Sequence, residues 1–150
     1  MIRTLLFATA GSATLLLAAF AFQYLGGMAP CKLCLWQRWP HASAVIIGLL
    51  IMLTGEIKLA WLGALAALST AFIGLYHVGV EQAWWEGPTS CTSSGVSGVS
   101  AQDLMNQILA APIVRCDDIA WQLAGISMAG WNALISLTLA ALWVEAARRA

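Results

Sequence analysis

Four cysteines are the side chains of this chain best suited to chemistry. Cys31 and Cys34 form a C-x-x-C pair, and Cys91 and Cys116 are separated by 24 residues. A disulfide between positions as close as 31 and 34 closes so small a ring that it removes little entropy from the unfolded chain. The C-x-x-C pair is therefore a poor structural crosslink, and its spacing favours a redox couple.

Arg38 follows Cys34 by four residues, which makes the two side chains neighbours if this segment is helical. A fixed positive charge favours the nucleophilic thiolate form of a neighbouring thiol. The guanidinium also offers several donors to an oxygen-bearing acceptor. An arginine that only reaches lipid headgroups would have the same spacing, so the spacing leaves both interpretations open.

Other uses of the cysteines fit the sequence less well. Covalent haem attachment needs C-x-x-C-H, and Leu35 follows the second cysteine here. Structural zinc sites usually combine two closely spaced cysteine pairs, which Cys91 and Cys116 do not form. Two static disulfides remain an alternative. The sequence has no flavin fingerprint, haem motif or thioredoxin-like βαβ unit, so for a redox dithiol at the lipid boundary of a membrane protein, elimination favours a lipid-soluble electron acceptor, a quinone.

The composition predicts a membrane protein. Of the 150 residues, 61% are hydrophobic and 9% are charged, whereas a soluble domain has about a quarter charged residues. The zero net charge gives no indication of nucleic-acid binding. We expect an all-α, single-domain bundle of four transmembrane helices, with external loops at about residues 26–32 and 79–122. The helices are expected at about residues 4–25, 33–53, 57–78 and 123–144.

Pro40 lies where the second helix could begin. A helix from Pro40 to Leu53 would be about 21 Å long, too short for a hydrocarbon core of about 30 Å. A start near Leu33 gives the required length, with Pro40 as a kink that neighbouring helices tolerate. It also places Cys34 in the first turn, where the helix dipole favours a thiolate.

Charge distribution suggests an orientation. Four spans put both termini on one side, with four lysines and arginines against three on the other. This favours cytoplasmic termini and places the cysteines in an outer compartment, where disulfides persist. A cleaved signal peptide is the alternative interpretation of the first helix, but its apolar run is longer than such peptides carry. In the long loop, residues 100–112 resemble a short amphipathic helix.

Three segments together resemble the bacterial DsbB family of disulfide bond formation proteins. They are PCKLCLWQR (30–38), GLYHVGVEQAWWEGPTSC (74–91) and RCDDIAWQLAGISMAGWN (115–132). The resemblance implies a quinone-linked thiol oxidase of the bacterial inner membrane, with its cysteine loops in the periplasm. Such an oxidase regenerates a periplasmic DsbA-like dithiol oxidase of the thioredoxin fold, and its cofactor is ubiquinone or menaquinone.

The resemblance also implies roles for individual residues. The partner thiolate would attack Cys91, the released Cys116 would attack Cys31, and Cys34 would be left as a thiolate beside the quinone. Quinone-binding positions would be Arg38, His77 and Met128, with no metal site.

Simpler interpretations stand beside these roles. His77 could be a polar residue at a helix end, and Met128 could be ordinary packing. Glu81 is expected to be solvated, although it could relay quinone protons. A non-catalytic membrane scaffold with two structural disulfides is the alternative function. A carrier of electrons outward would need a cytoplasmic thiol, which none of the four cysteines supplies.

Overall fold

The computed structural model describes residues 2–88, 100, 102, 105 and 114–149. Cys91 and nearly all of the expected short helix at 100–112 lie outside the described residues. The elements, in chain order, are α1 (Ile2–Tyr24), α2 (Lys32–Thr54), a 3-10 turn (Ile57–Leu59), α3 (Ala60–Glu81), β1 (Gln122–Leu123), β2 (Ile126–Ser127) and α4 (Met128–Arg148).

Helix α2 begins at Lys32 and continues through Pro40, so it has the length of the longer of the two expected helices. Cys31 is its N-cap: the Cys31 sulfur accepts a hydrogen bond from the backbone N–H of Cys34 at 3.2 Å. This contact satisfies one of the N–H groups that lack a partner inside the first turn. Gly55 ends the helix with φ of 76°, a left-handed conformation that glycine adopts without a Cβ penalty.

Helix α4 begins five residues later than the sequence predicted, at Met128 rather than near Leu123. The strands β1 and β2 pair antiparallel before it, around a two-residue turn in which Ala124 and Gly125 have φ of 54° and 77°. Positive φ at both turn positions is the geometry of a tight hairpin and cannot continue into a helix. Ser127 then caps α4 by accepting a hydrogen bond from the Gly130 N–H.

The four α-helices form a ring of neighbours. Helix α1 packs against α2 and α4, and α3 packs against the same two helices. The buried hydrophobic core draws on the first halves of α1 and α3 and the second halves of α2 and α4, with small residues at most contacts. Because the helices alternate in direction, this core lies at the end of the bundle that carries both termini. Close approach through small residues is typical of helices packed in lipid.

The outer surface of the bundle is apolar. Phe7, Leu53 and Phe72 are each more than 60% exposed, a surface that a soluble monomer avoids. Within the described residues, three segments are long and apolar enough to cross a membrane: Ile2–Tyr24, Ile57–Glu81 and Met128–Arg148. Helix α2 is 23 residues long, but Gln37, Arg38 and His41 make its first half polar.

Candidate active site

The C-x-x-C pair lies at the start of α2, at the end of the bundle opposite the packed core. The Cys31 and Cys34 sulfurs are 2.7 Å apart, and Cys31 is 5% exposed. The hydrogen bond of the Cys31 thiol to Cys34, followed by burial, raises the pKa of Cys31. Ionisation of Cys31 is therefore disfavoured in the reduced pair.

Cys116 approaches the pair from the long loop. It is fully buried and belongs to one apolar cluster with Cys31, Leu33 and Val80, against which Cys34 also packs. Arg115 holds the adjacent turn, since its Nε donates to Asp117 Oδ1 at 2.9 Å. This ion pair lowers the pKa of Asp117. The fold thus brings three of the four cysteines together from two separate segments.

His77 links the two cysteine segments. Its Nδ1 accepts a hydrogen bond from the Gln37 side-chain amide at 3.0 Å, so the ring proton is on Nε2. That nitrogen donates to the Cys116 carbonyl oxygen at 3.1 Å and lies 3.7 Å from the Cys31 sulfur. His77 is 4% exposed and is a buried contact of the cysteines rather than a polar residue at a helix end.

Arg38 extends from α2 towards α1. Its guanidinium donates to the Gln23 side-chain oxygen and to the Ala19 carbonyl, and it lies 5.0 Å from the centroid of the Phe20 ring. The Arg38 Nε is buried and has no hydrogen-bond partner among the described residues. Cation–π and hydrogen-bond contacts therefore hold the guanidinium while leaving the Nε–H donor unused by the described residues.

A cavity of about 350 Å³ opens beside these residues, a volume typical of small-molecule sites. Its apolar wall includes Leu15, Ala19 and Phe22 from the second half of α1. Five of the predicted site residues line it, namely Cys31, Cys34, Arg38, His77 and Met128, whereas Cys116 does not. The structure thus places the dithiol and the arginine on one apolar cavity.

Glu81 corrects one expectation. The sequence predicted a solvated carboxylate, but the Glu81 side chain is 5% exposed. It accepts a hydrogen bond from the Ser127 hydroxyl and lies 3.9 Å from His77 Nε2. Ser127 lies here because it ends the hairpin and caps α4. The hairpin, which the sequence did not predict, therefore contributes to the burial of Glu81.

Sequence reasoning missed a group of polar residues between the helices. Gln37 and His41 are 7% and 3% exposed, and both hydrogen bond to Asn132 of α4. Thr70 of α3 also accepts from Asn132 and donates to the Gln37 carbonyl. A signal was present, because intramembrane polar residues usually face a bundle interior or a functional cavity.

A metal site is the competing use of these side chains. The ligand atoms of Cys31, Cys34 and His77 lie within 4.8 Å of one another. However, His77 accepts a hydrogen bond at Nδ1 and carries its proton on Nε2, so neither nitrogen offers a free lone pair. The hydrogen bonds around His77 therefore favour thiol chemistry over metal binding.

Comparison with known proteins identifies the family. A family model described as "Disulfide bond formation protein DsbB" matches residues 2–146. The chain belongs to the DsbB family. This match confirms the family resemblance that the three sequence segments indicated. The chain is a membrane protein that functions in disulfide bond formation.

The sequences of several known proteins match this chain over most of their length. Disulfide bond formation protein B 2 of Pseudomonas aeruginosa (strain PAO1) is 31% identical over 144 residues, covering 91% of this chain and 84% of the relative. Disulfide bond formation protein B of Pasteurella multocida is 30% identical, covering 92% and 84%. The uncharacterized protein RP370 of Rickettsia prowazekii is 27% identical, covering 81% and 73%. No solved structure matches the chain.

Proposed function

We propose that this protein reoxidises a periplasmic DsbA-like dithiol oxidase and passes the electrons to a membrane quinone. The observation that carries the proposal is the position of the Cys31–Cys34 pair. Cys116, the cysteine that would deliver electrons from the long loop, packs in one cluster with it. Both residues of the pair also line the cavity that contains Arg38. A redox pair that contacts both a thiol donor and an apolar cavity is suited to connecting them.

The cysteine steps exchange one disulfide for another. A partner thiolate attacks Cys91 of a Cys91–Cys116 disulfide, which forms a mixed disulfide and releases Cys116. The Cys116 thiolate attacks Cys31, breaks the Cys31–Cys34 bond and releases Cys34 as a thiolate. The second partner thiol then breaks the mixed disulfide, and the partner leaves oxidised. In this exchange the partner loses two electrons and two protons, which the chain holds as reduced Cys34 and Cys91 until the Cys31–Cys34 and Cys91–Cys116 disulfides re-form.

The cavity fits a quinone, the group proposed to receive these two electrons and two protons. A bound quinone supplies an acceptor for two electrons and two protons and becomes a hydroquinone. The apolar wall of α1 suits its ring and tail, and the Arg38 Nε–H, which has no partner among the described residues, suits one of its carbonyl oxygens. Cys34 lines the same cavity. Ubiquinone and menaquinone both have this chemistry.

The proposal also includes the orientation. Four spans, with α2 as the least apolar, place both termini and the Gly55 turn in the cytoplasm of a bacterial inner membrane. The cysteine segments then face the periplasm, where a thioredoxin-fold partner reaches Cys91. Burial of the polar first half of α2 against α3 and α4 supports counting it as a span, because its amide and imidazole groups are hydrogen bonded inside the bundle.

The direct test combines purified protein, a reduced DsbA-like partner and a ubiquinone analogue, and follows quinone absorbance. We expect absorbance to decay with the wild-type protein and to stay constant with Cys34→Ala, because that variant lacks the thiolate beside the cavity. Ser69→Ala, a change on the exposed face of α3, is the control and should match the wild type. Quinone reduction by Cys34→Ala at the wild-type rate would exclude this route.

The same assay separates the proposal from a non-catalytic scaffold. A scaffold with two structural disulfides leaves quinone and partner unchanged, and its disulfides survive mild reductant. If wild-type protein behaves in this way, the oxidase function is wrong.

A further inference from the structure

A chain of buried hydrogen bonds runs from the cysteines into the bundle, and one backbone carbonyl fixes its direction. Gln37 Nε2 donates to the Leu33 carbonyl oxygen at 3.3 Å. A carbonyl oxygen only accepts, so this side of the Gln37 amide must be the NH₂ group. Its second hydrogen is donated to His77 Nδ1, and the Gln37 oxygen is left facing Asn132.

The same reasoning fixes the orientation of the Asn132 amide and the position of the ring proton of His41. The Gln37 oxygen only accepts, so Asn132 presents its NH₂ group, which donates at 2.7 Å and also donates to the Thr70 hydroxyl at 3.1 Å. The Asn132 oxygen then faces His41 Nε2 at 2.9 Å. Because an amide oxygen only accepts, His41 carries its proton on Nε2.

The other ring nitrogen of His41 is therefore an acceptor without a donor. His41 Nδ1 is buried and has no hydrogen-bond partner among the described residues, and the whole residue is 3% exposed. His41 is one of the residues that line the cavity with Arg38 and Cys34. Asn132 and Ser136 contact its Nε2, so Nδ1 is the ring nitrogen left without a polar contact among the described residues.

We propose that His41 is a binding residue that accepts a hydrogen bond from a hydroxyl group of the hydroquinone. The inference rests on the proposed quinone function and extends it to the preference of the site between oxidation states. A quinone offers only carbonyl acceptors, which cannot satisfy an acceptor nitrogen. A hydroquinone offers hydroxyl donors, which can. Arg38, which only donates, binds an oxygen of either form.

This arrangement makes the site favour the reduced form of its ligand. An unsatisfied buried polar group is costly, and we expect the hydroquinone to gain about tenfold in affinity through His41. For a two-electron couple, a tenfold preference raises the potential of the bound quinone by about 30 mV. A higher potential drives electrons from Cys34 towards the cavity.

The protonation of His41 can be tested without turnover. The chain has two histidines, so ¹⁵N-histidine labelling gives one pair of ring signals for each, and His41→Leu assigns them by loss. A Cys34→Ala background prevents electron exchange during the titration. We expect an unprotonated Nδ1 signal for His41 that moves with a short-chain ubiquinol analogue and not with the matching ubiquinone analogue. A protonated Nδ1, or equal shifts with both analogues, would overturn the inference.

Binding affinities provide the second test in the same background. His41→Leu should weaken ubiquinol binding about tenfold and change ubiquinone binding by less than about twofold. Ser136→Ala removes a contact on the Nε2 side, leaves the Nδ1 acceptor in place and should bind both analogues like the parent protein. If His41→Leu weakens the binding of both analogues equally, the proposed role of His41 is wrong, whereas the proposed quinone function is not affected. If the parent protein binds neither analogue, the quinone function itself fails, and this inference fails with it.

Discussion

Cys31 and Cys34 are three residues apart, yet their surroundings differ. Cys31 caps α2 with its sulfur, packs with Cys116 and lies near His77. Cys34 is less buried and, like Cys31, lines the cavity. The difference suits a relay in which Cys31 exchanges with protein thiols and Cys34 serves the cavity.

Alkylation should distinguish the two thiols. The raised pKa of Cys31 keeps this residue in the unreactive thiol form even when the pH rises to the ordinary pKa of a cysteine thiol. In fully reduced protein, we therefore expect a thiol reagent to modify Cys34 well before Cys31 from pH 7 to pH 9. Peptide mass spectrometry after timed quenching measures this order. Unfolded protein is the control and should lose the preference; faster modification of Cys31 in the folded protein would contradict the assignment.

Arg38 is the second residue whose role can be measured. We expect Arg38→Ala to raise the KM for quinone about tenfold or more, because it removes a buried charged hydrogen-bond donor. The KM for the partner protein should not change. Steady-state kinetics with each substrate varied in turn gives both values.

Gln23→Leu provides a graded comparison for Arg38. It removes the side chain that holds the guanidinium but keeps the charge, so its effect on the quinone KM should be smaller than that of Arg38→Ala. An unchanged quinone KM in Arg38→Ala would make the arginine a lipid anchor.

At the scale of the elements, close helix packing at one end of the bundle supports the open cavity at the other. The four buried residues of α1 are Leu5, Ala8, Thr9 and Ser12, all in its first half. Its second half lines the cavity. Since the two halves belong to one continuous helix, contacts in the core also set the position of the cavity wall.

Gly63 tests this packing. A Cβ at Gly63 would lie 2.6 Å from the Trp143 ring, which is fully buried. We expect Gly63→Ala to lower the stability of the bundle by about 1–3 kcal/mol, the usual cost of overpacking. Thermal unfolding in detergent measures the change.

The matched control is a double-mutant cycle with Trp143→Leu, which removes the ring atoms that the new Cβ would meet. In that background, Gly63→Ala should cost much less than it does alone. Equal costs in the two backgrounds would show that this contact does not limit the packing.

Across the whole molecule, the close-packed core and the reactive residues lie at opposite ends of the bundle. The small-residue core lies with the termini, and the cysteines, His77 and the cavity lie at the opposite end. The exposed apolar surface between them is suited to lipid. This separation lets a redox pair and a polar hydrogen-bond chain occupy one end, where they would disturb packing least.

The proposed orientation predicts which positions are accessible from each side. A membrane-impermeant thiol reagent should label Glu56→Cys only after the inner membrane is opened, because Glu56 follows the Gly55 turn. Gln82→Cys, just beyond α3, should be labelled in intact spheroplasts. Native cysteines kept in disulfide form do not react. The opposite pattern would invert the topology, and equal labelling of both would contradict an odd number of spans between them.

Part of this architecture was predictable from local spacing. Apolar windows indicated the helices, length arithmetic favoured a second helix that starts ahead of Pro40, and the C-x-x-C pair with Arg38 indicated redox chemistry. The hairpin before α4 was not predicted, because Leu123 and Ile126 continue an apolar pattern and only backbone geometry at Ala124 and Gly125 breaks it. The burial of Glu81 depended on that hairpin through Ser127.

The membrane character, the family resemblance and the spacing that makes Cys34 and Arg38 neighbours on one helix can all be read from the sequence. They follow from composition, motifs and helical period, which are local properties. The packing of Cys116 against Cys31, the contact of Gln23 with Arg38 and the link through Asn132 between Gln37 and His41 appear only in the folded bundle. Such contacts join residues far apart in the chain, and they depend on how each helix is rotated in the ring. Helices that are apolar on nearly every face leave that rotation unspecified until they pack together.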